Sequence, residues 1–93
     1  MTFTIGLAQT CHPADGDAAA LVARVAAQAA EAGVDLLVFP ESLMSRYEAE
    51  RDQFLHEAQP LGGEFTTAVD AIAAEQGLWM VYTMNERDRK SVV

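Results

Sequence analysis

Three short apolar segments alternate with amphipathic segments along the chain, and polar or turn residues bound each of them. They are "FTIGLAQ" (Phe3–Gln9), "VDLLVFP" (Val34–Pro40) and "LWMVYTM" (Leu78–Met84). Their length and their content of β-forming residues predict buried strands. The middle segment is apolar without alternation, which is typical of a central parallel strand covered on both faces. Because proline has no backbone N–H, strand pairing is expected to end at Pro40.

An alanine-rich segment, residues 18–33, follows the first predicted strand and predicts a helix, since alanine is the best helix former. Asp17 stands where an N-cap belongs, and Gly33 stands where a helix commonly ends in the left-handed conformation. The helical spacing places four apolar residues on one face: Leu21, Val25, Ala29 and Ala32.

Two further helices are predicted between the second and third strands. The segment 64–77 is amphipathic, ends at a glycine and buries Phe65, Val69 and Ile72. The segment Ser45–Gln59 is highly charged and predicts a peripheral helix. Its apolar anchors would be Tyr47, Phe54, Leu55 and Ala58. The turn "PLGG" separates the two helices; it lacks the lysine and the downstream Ser or Thr of a phosphate-binding loop.

This order of elements predicts an α/β fold, strand–helix–strand–helix–(helix)–strand, with a mainly parallel sheet and right-handed crossovers. A parallel sheet of three strands leaves open edges that larger α/β proteins continue or cover. The tail "NERDRKSVV" reads as a polar turn followed by the first residues of another strand. We therefore expect residues 1–93 to be part of one larger domain.

The charge balance excludes some classes of partner. Fourteen acidic residues against six basic residues give a net charge of -8. Such a surface repels nucleic acid and anionic membranes, so neither is expected as a partner. A single cysteine cannot form an internal disulfide, which favours a reducing compartment. The N-terminus lacks the pattern of a signal peptide, and no stretch approaches a membrane span in length. These features together predict a cytoplasmic protein.

The second strand ends in "FPE", which places Glu41 two residues beyond Phe39. In open α/β folds, ligands bind beyond the carboxyl ends of the parallel strands. A carboxylate held there away from solvent can accept a proton from a nucleophile. The alternative is that Glu41 merely caps or solvates the start of the next segment, as most acidic residues at strand ends do.

The chain resembles the opening of the nitrilase superfamily of carbon–nitrogen hydrolases. The resemblance rests on "FTIGLAQ", the alanine-rich helix, "DLLVFPE" and "PLGGEFTTAVDAIAAEQGLWMVYTMNER", in that order. It covers essentially the whole chain, but only about the first third of a family domain. Residues 1–93 would then be the N-terminal part of a single carbon–nitrogen hydrolase domain.

The resemblance implies an α-β-β-α sandwich that forms homo-oligomers and hydrolyses small-molecule amides or nitriles without metal or organic cofactor. It also implies a Glu-Lys-Cys triad, in which Glu41 takes the place of the general base. The base activates a cysteine thiol for attack on the substrate carbon, and the lysine stabilises the oxyanion.

The sequence departs from the family pattern after its third strand, where the family has its lysine and cysteine. Lys90, the only lysine, lies in a polar turn, and Cys11 closes the first strand, so neither is assigned to the triad. His12 and His56 lack the companions of a metal site. We therefore expect this chain alone to be inactive. Two alternatives stay open: a non-catalytic truncated α/β module that associates with a partner chain, and an unrelated binding domain with a coincidental "FPE".

Overall fold

Three parallel strands and two helices make up the part of the chain that the computed structural model describes, residues 2–11, 16–40, 43, 58 and 60–85. In chain order the elements are β1 (Ile5–Leu7), α1 (Ala18–Glu31), β2 (Leu36–Val38), α2 (Glu64–Gln76) and β3 (Trp79–Val81). The predicted α/β class and order of elements are confirmed. The helix predicted over 45–59 lies outside the described residues, except for Ala58, which is buried.

The sheet has the order β1-β2-β3, and both pairings are parallel. Leu37, in the middle of β2, pairs with Gly6 on one side and with Met80 on the other. The prediction of a central parallel strand is therefore confirmed. Two right-handed crossovers that advance in the same direction place their helices on the same face of a sheet. Accordingly, α1 and α2 contact each other.

Local capping chemistry fixes both ends of α1 and the C-terminal end of α2. The Asp17 carboxylate accepts a hydrogen bond from the Ala20 N–H at 2.9 Å, which confirms the predicted N-cap. Gly33, with φ of 82°, and Gly77, with φ of 66°, adopt the left-handed conformation that ends a helix without a Cβ penalty. Helix α1 ends at Glu31, so Ala32 is exposed and its predicted place on the buried face is wrong.

The hydrophobic core lies between the helices and one face of the sheet. Among the residues that the structure describes, Val22 of α1 and Val69 of α2 are the largest fully buried side chains. Leu37 is the residue of β2 that lies in this core, and it is 2% exposed. The buried cluster consists of Ala18, Leu21, Val22, Ala26, Ala29, Leu37, Phe39, Leu43, Phe65, Val69 and Leu78.

Asp35 joins the three strands at their amino ends. Its carboxylate accepts a hydrogen bond from the Thr4 N–H at 2.8 Å, and its own N–H donates to the Thr4 carbonyl at 2.9 Å. Its carbonyl accepts from the Trp79 N–H at 3.0 Å. These bonds help to set the register of β1, β2 and β3, and hence the level at which the strands end on the opposite edge.

The other face of the sheet, which we call the open face, carries apolar side chains. Trp79 is 73% exposed and Leu7 is 74% exposed, and no described residue covers them. The prediction of a buried strand over Leu78–Met84 is wrong for Trp79, and the predicted cover on both faces of β2 is incomplete, because Leu36 and Val38 are only half-buried. The open face consists of Ile5, Leu7, Leu36, Val38, Trp79 and Val81, which the parallel register aligns.

Neither α1 nor α2, the helices that the structure describes, is long and apolar enough to cross a membrane. The cytoplasmic location stays a prediction.

Candidate functional site

The carboxyl ends of the three strands meet at one edge of the sheet. The Ala8 N–H donates to the Val38 carbonyl at 2.8 Å, and the Phe39 N–H donates to the Val81 carbonyl at 2.9 Å. These are the last steps of the two ladders, and Pro40 follows them. The Val38 carbonyl points towards β1, so two residues later the N–H of residue 40 would also have to point towards β1 and donate the next ladder bond. Residue 40 is a proline, which has no N–H. Pairing therefore ends where the sequence predicted.

Glu41, the predicted general base, lies outside the described residues, but its neighbours on both sides are described. Phe39 is 5% exposed and Leu43 is 3% exposed, and both belong to the hydrophobic core. Each stands two positions from residue 41. The short segment that contains Glu41 is therefore anchored in the core at both ends, at the carboxyl end of the central strand.

The side chain of Thr83 contacts the same segment from the end of β3. Its hydroxyl oxygen accepts a hydrogen bond from the Leu43 N–H at 3.3 Å, and the hydroxyl donates to the Pro40 carbonyl at 3.4 Å. In a continued strand the Pro40 carbonyl would face β1, as the Val38 carbonyl does. It contacts Thr83, beyond β3, instead. The chain consequently bends at Pro40, and Thr83 spans the bend.

Thr83 was not among the candidate residues derived from the sequence. The sequence separations of its two contacts are 40 and 43 residues. The signal that would have found it is the strand register. Val38 pairs with Val81, so the residues two positions further on, Pro40 and Thr83, leave the sheet at the same level.

An aromatic pair lies next to this edge. The rings of Phe65, in the first turn of α2, and Tyr82 pack edge to face, with centroids 5.9 Å apart and an interplanar angle of 73°. Burial raises the pKa of the Tyr82 phenol, and the Asp70 carboxylate raises it further. Tyr82 lies in the segment predicted to be the third buried strand, and it is half-buried.

The raised pKa of Tyr82 predicts a loss of stability in alkali. The folded chain holds the phenolic proton more tightly than the unfolded chain, whose tyrosine pKa is about 10. The contribution of Tyr82 is therefore fully present below that pH and declines as the pH rises through the folded pKa. We expect Tyr82→Phe to flatten the alkaline fall of the unfolding free energy, measured by urea denaturation across this pH range. An unchanged alkaline fall would contradict this assignment.

The other candidate residues are not brought to this edge by any described contact. Cys11 is exposed and its thiol is free. His12, Tyr47, His56 and Lys90 lie outside the described residues. Within the described ranges, no three His, Cys, Asp or Glu side chains lie close enough together to hold a metal ion.

The carboxyl edge therefore brings together described residues that flank position 41, from the ends of β2 and β3. Core anchors, a proline and a threonine hydroxyl hold the two ends of a bend in the backbone. A catalytic group must meet a reacting atom in one geometry, and these contacts hold the described residues Pro40 and Leu43 on either side of position 41.

Comparison with protein families gives a match over nearly the whole chain. Residues 4–93 match the sequence model of the family described as carbon-nitrogen hydrolase. Comparisons with curated proteins and with solved structures gave no match. The matched range contains all five elements of the fold and the "FPE" segment at the end of β2. The chain belongs to the carbon–nitrogen hydrolase family, the nitrilase superfamily.

Proposed function

We propose that this chain is the N-terminal part of a carbon–nitrogen hydrolase domain and that Glu41 is the general base of its Glu-Lys-Cys triad. The observation that carries the proposal is the position of "FPE" within the family match, directly after the central parallel strand. Ligands of open α/β sheets bind beyond the carboxyl ends of the strands. The buried neighbours Phe39 and Leu43 support a fixed position for the backbone between them.

The proposed reaction is hydrolysis of a small-molecule amide or nitrile. For an amide, the Glu41 carboxylate takes the proton of a cysteine thiol while the sulfur attacks the carbonyl carbon. A lysine ammonium stabilises the oxyanion, and the C–N bond then breaks as the proton passes to the leaving amine. Water attacks the resulting thioester with Glu41 again accepting a proton, which releases the acid and restores the thiol.

The lysine and the cysteine of this reaction would come from outside the 93 residues. Cys11 is exposed and has no described contact with the edge that carries Glu41. We therefore infer that residues 1–93 alone do not turn over substrate. The triad would be completed by further sequence of the same domain, in a homo-oligomer such as the family resemblance implies.

The test is the release of ammonia or amine from a panel of simple amides and nitriles. We expect the longest polypeptide that the gene encodes to hydrolyse a member of the panel, and the chain 1–93 to be inactive. Cys11→Ser should leave kcat within about twofold of the parent value, since surface substitutions away from a site have small effects. Loss of activity in Cys11→Ser, with the fold intact by circular dichroism, would instead assign the nucleophile to Cys11.

One observation favours a second function, that of a non-catalytic module which associates with a partner chain. The open face carries six apolar side chains in register, of which Ile5, Leu7, Trp79 and Val81 are exposed. Exposed apolar patches of this kind mark interaction surfaces. If the longest gene product lacks hydrolase activity on the whole panel but forms a stable complex, the second function replaces the first.

A further inference from the structure

The Thr83 hydroxyl contacts the backbone on both sides of Glu41. One side chain donates to the Pro40 carbonyl at 3.4 Å and accepts from the Leu43 N–H at 3.3 Å. A threonine hydroxyl has one donor and two acceptor lone pairs, so both bonds form at the same time. We propose that Thr83 is a positioning residue for Glu41, a role that rests on the proposed function of Glu41 as general base.

The remaining contacts of this segment do not determine its geometry. Phe39 and Leu43 fix where the segment enters and leaves the core, and Pro40 has a fixed φ. Neither constraint sets how the Pro40 carbonyl and the Leu43 N–H are directed. Both groups contact a single oxygen atom, at 3.4 and 3.3 Å, so Thr83 limits how far apart they can lie.

The anchor for this arrangement is the sheet itself. Thr83 follows β3 by two residues, and the last ladder bond, from the Phe39 N–H to the Val81 carbonyl, is 2.9 Å long. Pro40 and Leu43, which flank Glu41 in the sequence, are thereby tied to two adjacent strands. The Leu43 N–H belongs to a residue that is 3% exposed, and a buried N–H that loses its acceptor carries an uncompensated desolvation cost. Removing the hydroxyl should therefore affect the Pro40 carbonyl and the Leu43 N–H more than the hydrogen bonds of the sheet.

The test compares three variants. Thr83→Val removes the hydroxyl and keeps the shape, whereas Thr83→Ser keeps the hydroxyl. Thr67→Val is the matched control, because the exposed Thr67 hydroxyl also donates to a carbonyl, that of Gly62, at 3.4 Å, at the start of α2. If Thr83→Val does not fold, as judged by circular dichroism, Thr83→Ala takes its place.

Two measurements report different parts of the proposal. In the chain 1–93, amide hydrogen exchange at Leu43 should accelerate by about three- to tenfold in Thr83→Val. In the longest gene product, kcat for the amide or nitrile that it hydrolyses should fall by about ten- to a hundredfold, with KM unchanged, because misplacing a catalytic group slows the chemical step. Thr83→Ser should retain most of both properties, and Thr67→Val should match the parent.

Failure of this inference differs from failure of the proposed function. If Glu41→Gln abolishes turnover while Thr83→Val keeps the parent kcat or the parent exchange at Leu43, the positioning role of Thr83 is overturned alone. Equal loss of kcat in Thr83→Val and Thr67→Val would also overturn it, since the effect would then be one of general stability. If Glu41→Gln keeps full activity, the proposed function fails and the role of Thr83 fails with it.

Discussion

Replacing Glu41 by glutamine is expected to lower kcat of the longest gene product by about a thousandfold or more. Glutamine has nearly the same size and shape as glutamate, but its amide cannot accept a proton from the thiol. General-base catalysis contributes about 10²- to 10⁴-fold, and a thiol without its base is mostly protonated at neutral pH. Substrate binding needs no proton transfer, so KM should change little.

Glu75→Gln is the matched control for this substitution. It removes the same carboxylate from an exposed position near the C-terminal end of α2. That end of the helix leads into the amino end of β3, so Glu75 lies at the opposite edge of the sheet from the "FPE" segment. We expect the kcat of this variant to stay within about twofold of the parent value.

The measurement is initial-rate ammonia or amine release at saturating substrate, with circular dichroism to verify the fold of each variant. A Glu41→Gln enzyme that retains more than about a tenth of the parent kcat would exclude a general-base role, because the smallest effect of that role is about a hundredfold. Equal losses in Glu41→Gln and Glu75→Gln would point to net charge or stability rather than to proton transfer.

The elements of the fold could be predicted because their signals are local. The alanine-rich segment, Asp17 and Gly33 lie within one stretch of chain, and the structure confirms the helix, its N-cap and its terminal glycine. The strands are shorter than predicted, three residues each. Apolar composition marks the whole segment that contacts the core or the open face. Strand hydrogen bonding ends earlier, and in β2 its last bond is donated by the Phe39 N–H, directly before the proline.

The cover of the sheet could not be predicted because apolar side chains do not reveal what packs on them. The uninterrupted run of Val34–Pro40 predicts burial on two faces, and Trp79 reads as a core residue. The described residues supply a helical layer for one face only. The hydrophobic pattern of a strand therefore predicts that its side chains will be buried, but it does not identify the residues that pack on them.

The sequence predicts which residues of the candidate site follow one another along the chain, but not which residues of neighbouring strands contact them. "FPE" and its place after a buried strand are visible in the sequence, and the segment lies within the range that matches the family. Thr83 became visible only through a contact 43 residues away from Pro40. Its two bonds depend on the parallel pairing of β2 with β3, which a single sequence does not specify residue by residue.

Leu37→Ala is expected to destabilise the chain 1–93 by about 3 kcal/mol, the second large effect. Leu37 is 2% exposed, sits at the centre of the middle strand and belongs to the core cluster beneath both helices. Truncation removes buried methyl groups and leaves a cavity that rigid neighbours do not fill. Because small domains are stable by only about 5–15 kcal/mol, this change removes a large fraction of the total.

Leu7→Ala provides the control within the same sheet. The substitution is chemically identical and again lies in a parallel strand, but Leu7 is 74% exposed on the open face. We expect it to cost about 0.5 kcal/mol or less. Urea denaturation followed by circular dichroism, at several protein concentrations to detect self-association through the open face, gives both free energies of unfolding. Equal costs for the two variants would contradict a core that lies on one side of the sheet.

The same pair of variants tests whether the open face is covered in the longest gene product. If a second layer packs against it, as in an α-β-β-α sandwich, Leu7 becomes buried there and Leu7→Ala should cost about 2 kcal/mol or more. The cost of Leu37→Ala should stay nearly the same, because its surroundings are already complete in residues 1–93. A Leu7→Ala cost that remains small would mean that the open face stays exposed, and the surface would then be available to a partner chain.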